Sequence, residues 1–288
     1  MDLVQTPSKL NIPCFLMNFP FSVSNLYPNN ELMKEYSEPY NYDIAFVQFM
    51  DLYKEVTRDA LVYVLPCEDM TLQDLPYVAN VGVYLPHVQS KDIIVLSNFT
   101  SYPRLGEEQV AEKFFRSMNY YTIQCPYRFE GEADMKFIRG NTYVGSYGLR
   151  TERNAHGWMK DRFEMDIISM RMSDPKLYHF DCVFFKIDDE QALVVTEAFS
   201  PLDLHNLEKI IDVTPVPKEY TYNGWTNNIR LGRKVLHAHD NLESERDFTS
   251  LIETLGLEAI CKDLNEFAKS GADLSCMIMH LNFNNYKG

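Results

Sequence analysis

Basic residues are scarce in this sequence of 288 residues. Lysine and arginine number 27 against 41 aspartates and glutamates, so the formal net charge is −14. Because nucleic-acid binding needs clustered basic side chains against the phosphates, this imbalance argues against a nucleic-acid partner. Long apolar runs are also missing, since no stretch approaches the roughly 18 apolar residues that a membrane-spanning helix needs. We therefore expect neither nucleic-acid binding nor membrane insertion.

The cysteines form no CxxC pair and follow no regular spacing. This argues against zinc modules and against a disulfide framework. The first thirty residues also lack the basic segment and the apolar run of a secretory signal. We expect a reduced, cytoplasmic location. The cysteines are Cys14, Cys67, Cys125, Cys182, Cys261 and Cys276.

Linkers rich in proline, glycine or serine are absent as well. The best candidate, 212–224, is short and carries apolar side chains such as Val213 and Val216. The hydrophobic share of 45% and the charged share of 24% are typical of a folded chain. We therefore expect a single domain that spans residues 1–288.

Three segments carry apolar residues at the spacing of an amphipathic helix. They are Phe46, Phe49, Met50 and Tyr53; Val110, Phe114 and Met118; and Phe248, Leu251, Ile252 and Leu255. Short β-branched and aromatic runs predict strands at 61–65, 92–99, 120–127, 142–147, 182–187, 192–196, 234–239 and 276–283. This alternation predicts an α/β fold made of about five loosely repeated modules.

Two predicted strands carry residues that suit catalysis. Cys276 follows the glycine-containing segment 270–275 and opens a predicted strand. A cysteine held there is either a nucleophile, if a nearby group lowers its pKa, or a buried structural residue. His179 and Asp181, two residues apart, would point to the same face of a strand. They form either a general acid/base pair or a solvated strand end.

Polar groups also occur in a loop and in an apolar segment. Glu130, Glu132 and Asp134 surround Gly131 and form either a solvated turn or a site for a delocalised cation or a metal. Asn80 brings an amide into a predicted strand, where it must find hydrogen-bond partners.

The segment His237-Ala238-His239-Asp240 has ligand types that suit a metal ion. No second cluster at a fitting distance in the sequence completes the ligand set. We therefore predict no metal site.

Eight segments, in this order, resemble motifs of the guanidino-group modifying enzyme superfamily. Its members include arginine deiminases, amidinotransferases, dimethylarginine hydrolases and arginine dihydrolases. The resemblance runs from Leu16 to Asn282 and implies a five-bladed, pseudo-symmetric α/β propeller, the pentein fold, around a central polar site. The segments are Asn30-Glu31-Leu32-Met33; Gln48; 74–82; Arg104-Leu105-Gly106-Glu107; Phe129-Glu130-Gly131 with Asp134; Gly148-Leu149-Arg150-Thr151; Tyr178-His179-Phe180-Asp181; and Cys276.

The resemblance also implies roles for individual residues. Cys276 would be the nucleophile and His179 the proton shuttle, while Glu130 and Asp181 would bind the guanidinium. The implied substrate-binding positions are Asp74, Asn80, Arg104, Arg150, Asn30 and Asp134. Of these, the two arginines would reach the substrate carboxylate, and Asp134 would either contact substrate or orient its neighbours. The implied partner is a small molecule, L-arginine or a related guanidino compound, and no nucleotide, metal or organic cofactor is required.

These residue types suit the chemistry of a guanidinium. Its carbon is resonance-stabilised and a poor electrophile, so carboxylates must hold it planar while a thiolate attacks. The bound cation itself lowers the pKa of the cysteine. His179 would protonate the departing nitrogen and then activate water against the covalent amidino-thioether.

Asn80 favours one branch of the superfamily. The corresponding residue is typically aspartate in deiminases and amidinotransferases, whereas arginine dihydrolases carry asparagine in a similar context. Because an amide both donates and accepts, it can bind a neutral ureido group as well as a guanidinium. We therefore expect an arginine dihydrolase that yields ornithine, carbon dioxide and two ammonia. An amidinotransferase, a methylarginine hydrolase and an arginine deiminase remain alternatives.

Some segments depart from the family pattern. The usual Glu-Gly-x-Gly-Asp loop reads Glu130-Gly131-Glu132-Ala133-Asp134, which loses a glycine and gains a charge. The glycines before the nucleophile are reduced to Gly271. Glu31 and Leu32 replace the proline and tryptophan of an Asn-Pro-Trp-Met motif. These changes point to altered loop conformation and substrate specificity.

Two further functions remain open. One is a non-enzymatic factor of the same architecture that acts on ribosomes, which the acidic charge and the retained site residues disfavour. The other is an arginine sensor with little or no turnover. The sequence leaves the oligomeric state open, a homo-oligomer included.

Overall fold

The structure is a computed structural model that describes residues 6–36, 38–239 and 242–287. The strands are β1 Cys14–Met17, β2 Leu61–Val64, β3 Gly82–Tyr84, β4 Ile93–Leu96, β5 Tyr121–Gln124, β6 Met135–Arg139, β7 Thr142–Tyr147, β8 Asp166–Arg171, β9 Phe184–Lys186, β10 Gln191–Val194, β11 Asp212–Pro215, β12 Ile229–Leu231, β13 Lys234–His239, β14 Glu258–Asp263 and β15 Met279–His280. The α-helices are α1 Glu31–Glu35, α2 Tyr42–Val56, α3 Glu107–Ser117, α4 Gly131–Asp134, α5 Arg153–Phe163, α6 Pro201–Glu208, α7 Leu242–Thr254 and α8 Asn265–Ala268.

Within the described residues the strands form five sheets of three strands each, which we call blades 1 to 5. Blade 1 is β3-β4-β5, blade 2 is β6-β7-β8, blade 3 is β9-β10-β11, blade 4 is β12-β13-β14 and blade 5 is β15-β1-β2. In every blade the first pair is antiparallel and the second is parallel. The prediction of a five-bladed, pseudo-symmetric α/β propeller is confirmed.

A helix crosses over between the two parallel strands of each blade, because such strands cannot be joined by a tight turn. These crossover helices are α3, α5, α6, α7 and α2 for blades 1 to 5. Asn41 starts α2 by accepting a hydrogen bond from the Ile44 backbone N–H at 3.2 Å. Phe49 and Leu52 of α2 then pack in one apolar cluster with Phe15 of β1. Burying each such side chain contributes roughly 1.5 to 3 kcal/mol, so these contacts hold the helix onto its blade.

The fifth blade joins the two ends of the described chain. Its middle strand β1 pairs with β15, and Phe15 stands opposite His280. The Leu281 N–H also donates to the Cys14 carbonyl at 2.9 Å. The ring of blades is therefore closed by strands that lie far apart in the sequence.

The three apolar stripes predicted as helices lie in α2, α3 and α7, as expected. The predicted strands are β2, β4, β5, β7, β9, β10, β13 and β15, most of them shorter than predicted. No helix among the described residues combines the length and the apolar character needed to cross a membrane.

Three polar segments were wrongly predicted as strands. Asn80 ends the 3-10 turn Val78–Asn80, His179 directly precedes the turn Phe180–Cys182, and Cys276 lies in the turn Leu274–Met277. Each turn comes just before the first strand of a blade. A strand would point alternate side chains to opposite faces, whereas a tight turn can present adjacent polar residues at one end of the propeller.

Candidate active site

A narrow pocket lies where the turns of four blades meet. The predicted site residues lie in or beside this pocket. Asn80 comes from blade 1, His179 and Asp181 come from blade 3, and Cys276 comes from blade 5. In blade 2, Glu130 directly precedes α4 and Asp134 ends it. All of them are at least nine-tenths buried. The residues that line the pocket are Asn29, Asn30, Asp74, Tyr77, Asn80, Arg104, Arg150, Tyr178, His179, Ser270, Ala272 and Cys276.

Cys276 lines this pocket with only 4% of its surface exposed. Asp273 caps the turn by accepting from the Leu274 backbone N–H at 2.8 Å. The Sγ atom lies 3.7 Å from Oδ2 of Asp181. Burial raises the pKa of the Cys276 thiol well above its ordinary value, and the negative charge of Asp181 raises it further. The free site therefore holds a neutral thiol that needs a positive charge before it can ionise.

This raised pKa predicts how the thiol reacts. Below its pKa, the rate of alkylation by neutral iodoacetamide should climb about tenfold per pH unit and show no plateau between pH 7 and pH 9. Mass spectrometry of the Cys276 peptide measures this rate, and the unfolded protein provides the control with an ordinary thiol. A plateau near pH 7 would contradict the prediction.

Glu130 and His179 form a buried pair inside the site. His179 Nε2 lies 2.7 Å from Oε2 of Glu130, and Arg150 Nη1 lies 3.2 Å from Oε1. Burial alone would raise the pKa of Glu130, but Arg150, His179 and Arg104 together hold it well below its usual range. Glu130 is therefore ionised. The amide nitrogen of Asn80 lies 3.2 Å from Nε2 of His179, which places the amide against the proton-carrying ring.

Two arginines approach the same carboxylate. Arg104 is buried, with Nη1 3.9 Å from Oε2 of Glu130. Its Nη2 donates to Glu107 at 2.7 Å, and its guanidinium lies over the Phe99 ring. Arg150 donates through Nη2 to the Asn29 carbonyl at 2.6 Å. Both arginines line the pocket, where they can bind a negatively charged group.

Asp74 and Asn30 both line the pocket, but their side chains make different contacts. Asp74 accepts a short hydrogen bond from the Asn29 amide. Asn30 caps α1 by accepting from the Met33 N–H at 2.8 Å, and its amide donates to the Ser270 carbonyl at 2.9 Å. Because both ends of the Asn30 side chain are occupied, it connects α1 to the loop before the nucleophile.

Glu130, Asp134 and Asp181 are not among the residues that line this pocket, although all three were predicted to act in the site. Asp134 accepts from Ser146 at 2.8 Å, from Thr151 at 2.6 Å and from the Phe180 backbone N–H at 3.1 Å. These contacts hold the turn that follows His179, which favours the expectation that Asp134 orients its neighbours over the expectation that it contacts substrate. Asp181 lies beside the nucleophile, where its Oδ2 accepts from Ser275 at 2.8 Å.

No protein-family model matches the chain. It is 25% identical over 73% of its length to the N(G),N(G)-dimethylarginine dimethylaminohydrolase of Mycobacterium tuberculosis, and it covers 67% of that protein. It is 31% identical over 65% of its length to the uncharacterised protein YkgA of Bacillus subtilis, covering 64% of it. It is also 24% identical over 93% of its length to the bifunctional arginine dihydrolase/ornithine cyclodeaminase AgrE of Nostoc, of which it covers 37%.

Solved structures agree on the fold. The N-terminal domain of ArgZ, an arginine dihydrolase from cyanobacteria, superposes with a TM-score of 0.85 over 94% of this chain and 98% of that domain, at 22% identity. A dimethylarginine dimethylaminohydrolase adduct gives 0.70 over 93% of this chain and 99% of that one, at 15% identity.

This chain is a homologue of guanidino-modifying enzymes with the pentein fold.

The altered loop of this pentein has a structural explanation. Gly131 has a φ of +64°, and a Cβ there would lie 2.6 Å from the Ala79 carbonyl, so glycine is required. Glu132 is buried and accepts two hydrogen bonds from His280, from Nδ1 at 2.5 Å and from the backbone N–H at 2.9 Å. The carboxylate that Glu132 adds to the loop is therefore bonded to His280. This contact connects α4 to strand β15.

Replacing Glu132 should reveal this connection. Glu132→Ala leaves the buried His280 donors without their acceptor, and we expect it to lower the free energy of unfolding by about 2 kcal/mol. Urea unfolding followed by far-UV circular dichroism measures the loss. Glu132→Gln keeps one acceptor oxygen and serves as the milder matched variant. Equal stability of all three proteins would show that the connection contributes nothing.

The structure also shows site residues that the sequence did not reveal. Tyr178 donates to the Gly271 carbonyl at 2.6 Å, and its ring lies 5.0 Å below the Arg150 guanidinium. Asn227 contacts the Cys276 sulfur at 3.7 Å. Tyr178 belongs to the segment Tyr178-His179-Phe180-Asp181, which resembles a family motif. Nothing in the sequence around Asn227 distinguishes this residue from any other loop asparagine.

In the histidine segment of blade 4, the structure describes the side chain of His237. His237 is buried, donates through Nδ1 to the Asn228 side-chain oxygen at 2.8 Å and stacks on the Phe248 ring. Asp240 and the side chain of His239 lie outside the described residues. In the described part of the chain, no three His, Cys, Asp or Glu side chains are grouped as metal ligands.

Proposed function

We propose that this pentein is a cysteine-dependent hydrolase that acts on the guanidino group of L-arginine, and specifically an arginine dihydrolase. The observation that carries the proposal is the convergence of Asn80, His179 and Cys276 on one pocket, with Glu130 bonded to the histidine. An amide in place of a carboxylate at position 80 is what a site needs if it must bind a guanidinium first and a ureido group later.

The charges of the pocket suit a zwitterionic amino acid with a cationic end. Glu130, ionised beside the pocket, offers negative charge, and Arg104 and Arg150 in its lining offer positive charge. A guanidinium would compete with these arginines for Glu130, since planar donors bind carboxylates bidentately. The α-carboxylate would then be free to pair with an arginine that the guanidinium has displaced.

The first hydrolysis begins when the substrate cation enters. Its charge opposes the burial and the Asp181 charge that raise the pKa of Cys276, so the thiol passes its proton to His179 in the same pocket and the thiolate attacks the guanidinium carbon. Protonated His179 donates to the departing nitrogen, and ammonia leaves. Neutral His179 then takes a proton from water, which attacks the amidino-thioether carbon. Breaking the C–S bond releases citrulline and restores the cysteine.

The second hydrolysis repeats these steps on citrulline. Its ureido group is neutral, so a second carboxylate would bind it poorly, whereas Asn80 can donate to its oxygen. Thiolate attack at the same carbon expels the ornithine nitrogen, which takes a proton from His179, and leaves a carbamoyl group on the Cys276 sulfur. Water then breaks the C–S bond, and the carbamate that is released breaks down to carbon dioxide and ammonia. The total is arginine plus two water molecules giving ornithine, carbon dioxide and two ammonia.

Support for this choice comes from the relatives. One superposed structure is the cyanobacterial arginine dihydrolase domain bound to product, and another is a cysteine-to-serine mutant of that domain bound to substrate. The mycobacterial relative is named for dimethylarginine, which keeps a methylarginine hydrolase as the second candidate. An amidinotransferase differs only in the nucleophile that intercepts the covalent intermediate.

The test is to incubate the purified protein separately with L-arginine, citrulline and asymmetric dimethylarginine, and to follow products by mass spectrometry. Two ammonia per ornithine, with no accumulating citrulline, supports the dihydrolase. Citrulline as the end product indicates a deiminase, and dimethylamine from the methylated substrate indicates the second candidate. Turnover only after an amine is added indicates an amidinotransferase.

A further inference from the structure

One turn of blade 4 lies at the site but has no role in the proposed mechanism. This turn holds residues 225–228 and directly precedes strand β12, just as the turns of Asn80, His179 and Cys276 precede the first strands of their blades. Asn227 is 4% exposed within it. Its amide nitrogen lies 3.7 Å from the sulfur of Cys276, within the range of a hydrogen bond to sulfur.

The orientation of the Asn227 amide is set by its oxygen. Oδ1 accepts from the Ser275 backbone N–H at 2.8 Å and lies 2.9 Å from the Ser275 hydroxyl. Flipping the amide would place its NH₂ group against a backbone donor, which is unfavourable. The NH₂ group is therefore the end of the amide that can donate to the sulfur, at 3.7 Å, while Oδ1 lies slightly farther from the sulfur, at 3.9 Å.

A thiolate at Cys276 requires a hydrogen-bond donor beside its sulfur. The carboxylate of Asp181 also lies 3.7 Å from the sulfur and repels a negative charge, and the amide oxygen of Asn227 lies 3.9 Å away. Burial and the charges of Asp181 and Asp273 raise the pKa of Cys276, whereas the Asp273 backbone and the Asn227 amide lower it. Donors that point at a developing negative charge in a water-poor site are strongly stabilising because they need no reorganisation.

The turn around Asn227 is held rigidly. The Asn227 N–H donates to the Gly224 carbonyl at 2.9 Å, and the Thr226 hydroxyl donates to the Cys182 carbonyl at 2.6 Å. Trp225 stacks on Tyr220 with ring centroids 4.0 Å apart. A donor on so constrained a segment keeps its position while the sulfur changes charge.

We propose that Asn227 is a catalytic residue whose side-chain amide donates a hydrogen bond to the Cys276 thiolate. It stabilises the nucleophile before attack and the leaving thiolate when the covalent intermediate breaks down. Ser275, whose hydroxyl lies between Asn227 and Asp181, holds the amide and the carboxylate apart. The proposal rests on the proposed function for its effect on turnover, whereas its effect on the thiol is independent of any substrate.

The test uses Asn227→Asp, which keeps the shape and the acceptor toward Ser275 but replaces the donor with negative charge. We expect alkylation of Cys276 by iodoacetamide at pH 9, followed on its own peptide, to slow by about tenfold or more. We expect kcat for arginine to fall about a hundredfold while KM changes less than threefold, since the amide contacts the nucleophile and not the substrate. Asn227→Ala, which removes the donor without adding charge, should slow alkylation to a smaller extent.

The matched control is Asn228→Ser in the same turn. Asn228 bonds to the Trp225 carbonyl and to His237 and makes no contact with the sulfur. We expect it to lower the melting temperature while the alkylation rate stays within twofold of the unaltered protein. Unchanged alkylation in both Asn227 variants, or an equal slowing in Asn228→Ser, would overturn the proposal. If no guanidino compound is turned over, the proposed function fails, but the alkylation rates still decide the role of Asn227.

Discussion

Replacement of Cys276 by alanine is expected to abolish hydrolysis of L-arginine, with a loss of at least about a thousandfold in kcat. The mechanism has no other nucleophile that could form the covalent intermediate. Binding should survive, because the charged groups Glu130, Arg104 and Arg150 are unchanged. Coupled ammonia release and mass spectrometry of the intact protein would measure turnover and the missing adduct.

The matched control is Cys261→Ser. Cys261 lies on strand β14, the outer strand of blade 4, away from the pocket that holds Cys276. We expect this variant to keep activity within about twofold, because Cys261 is only partly buried and lies away from the site. Residual turnover by Cys276→Ala at more than a tenth of the normal rate would refute a cysteine-dependent mechanism.

The second large effect is expected at Asn80. Asn80→Asp should change the end product from ornithine to citrulline and lower ornithine formation by about tenfold or more, because a neutral ureido group cannot give a carboxylate the ionic partner that a guanidinium gives. The first hydrolysis should continue, since a carboxylate still binds the cation. Product ratios from arginine, and separate assays that start from citrulline, measure the two steps.

Asn154→Asp provides the control for the added charge. Asn154 is exposed on helix α5, so the same chemical change there should leave the product ratio as it was. If Asn80→Asp still converts arginine to ornithine without accumulating citrulline, the amide is not what permits the second hydrolysis. The reason for two successive reactions would then lie elsewhere in the pocket.

The repeated architecture could be predicted from the sequence only in outline. The stripes of α2, α3 and α7 are long enough to show helical spacing, and strands such as β2 and β4 consist wholly of aliphatic and aromatic residues, most of them β-branched. The first strands β3 and β12 did not emerge in the same way. Each has three residues, so neither contains enough positions for an alternating pattern.

The candidate site, like the fold, could be predicted from the sequence only in part. The resemblance placed Cys276, His179, Glu130 and Asn80 together although they lie on four blades, and periodicity alone could not have done so. It could not show that Asp134 accepts three hydrogen bonds from neighbouring protein groups, because those donors depend on the packing of two turns. Asn227 was missed for the same reason, since its contact with sulfur exists only once blade 4 stands beside blade 5.

The closure of blade 5 decides when this protein can first act. Cys276 precedes by three residues the strand β15 that must pair with β1, and the Leu281 N–H reaches back to the Cys14 carbonyl. A ribosome has to deliver nearly all of the described chain before the nucleophile can occupy its turn. Until then the Cys276 sulfur is not beside Asp181, so a nascent chain should lack the hydrolysis proposed above.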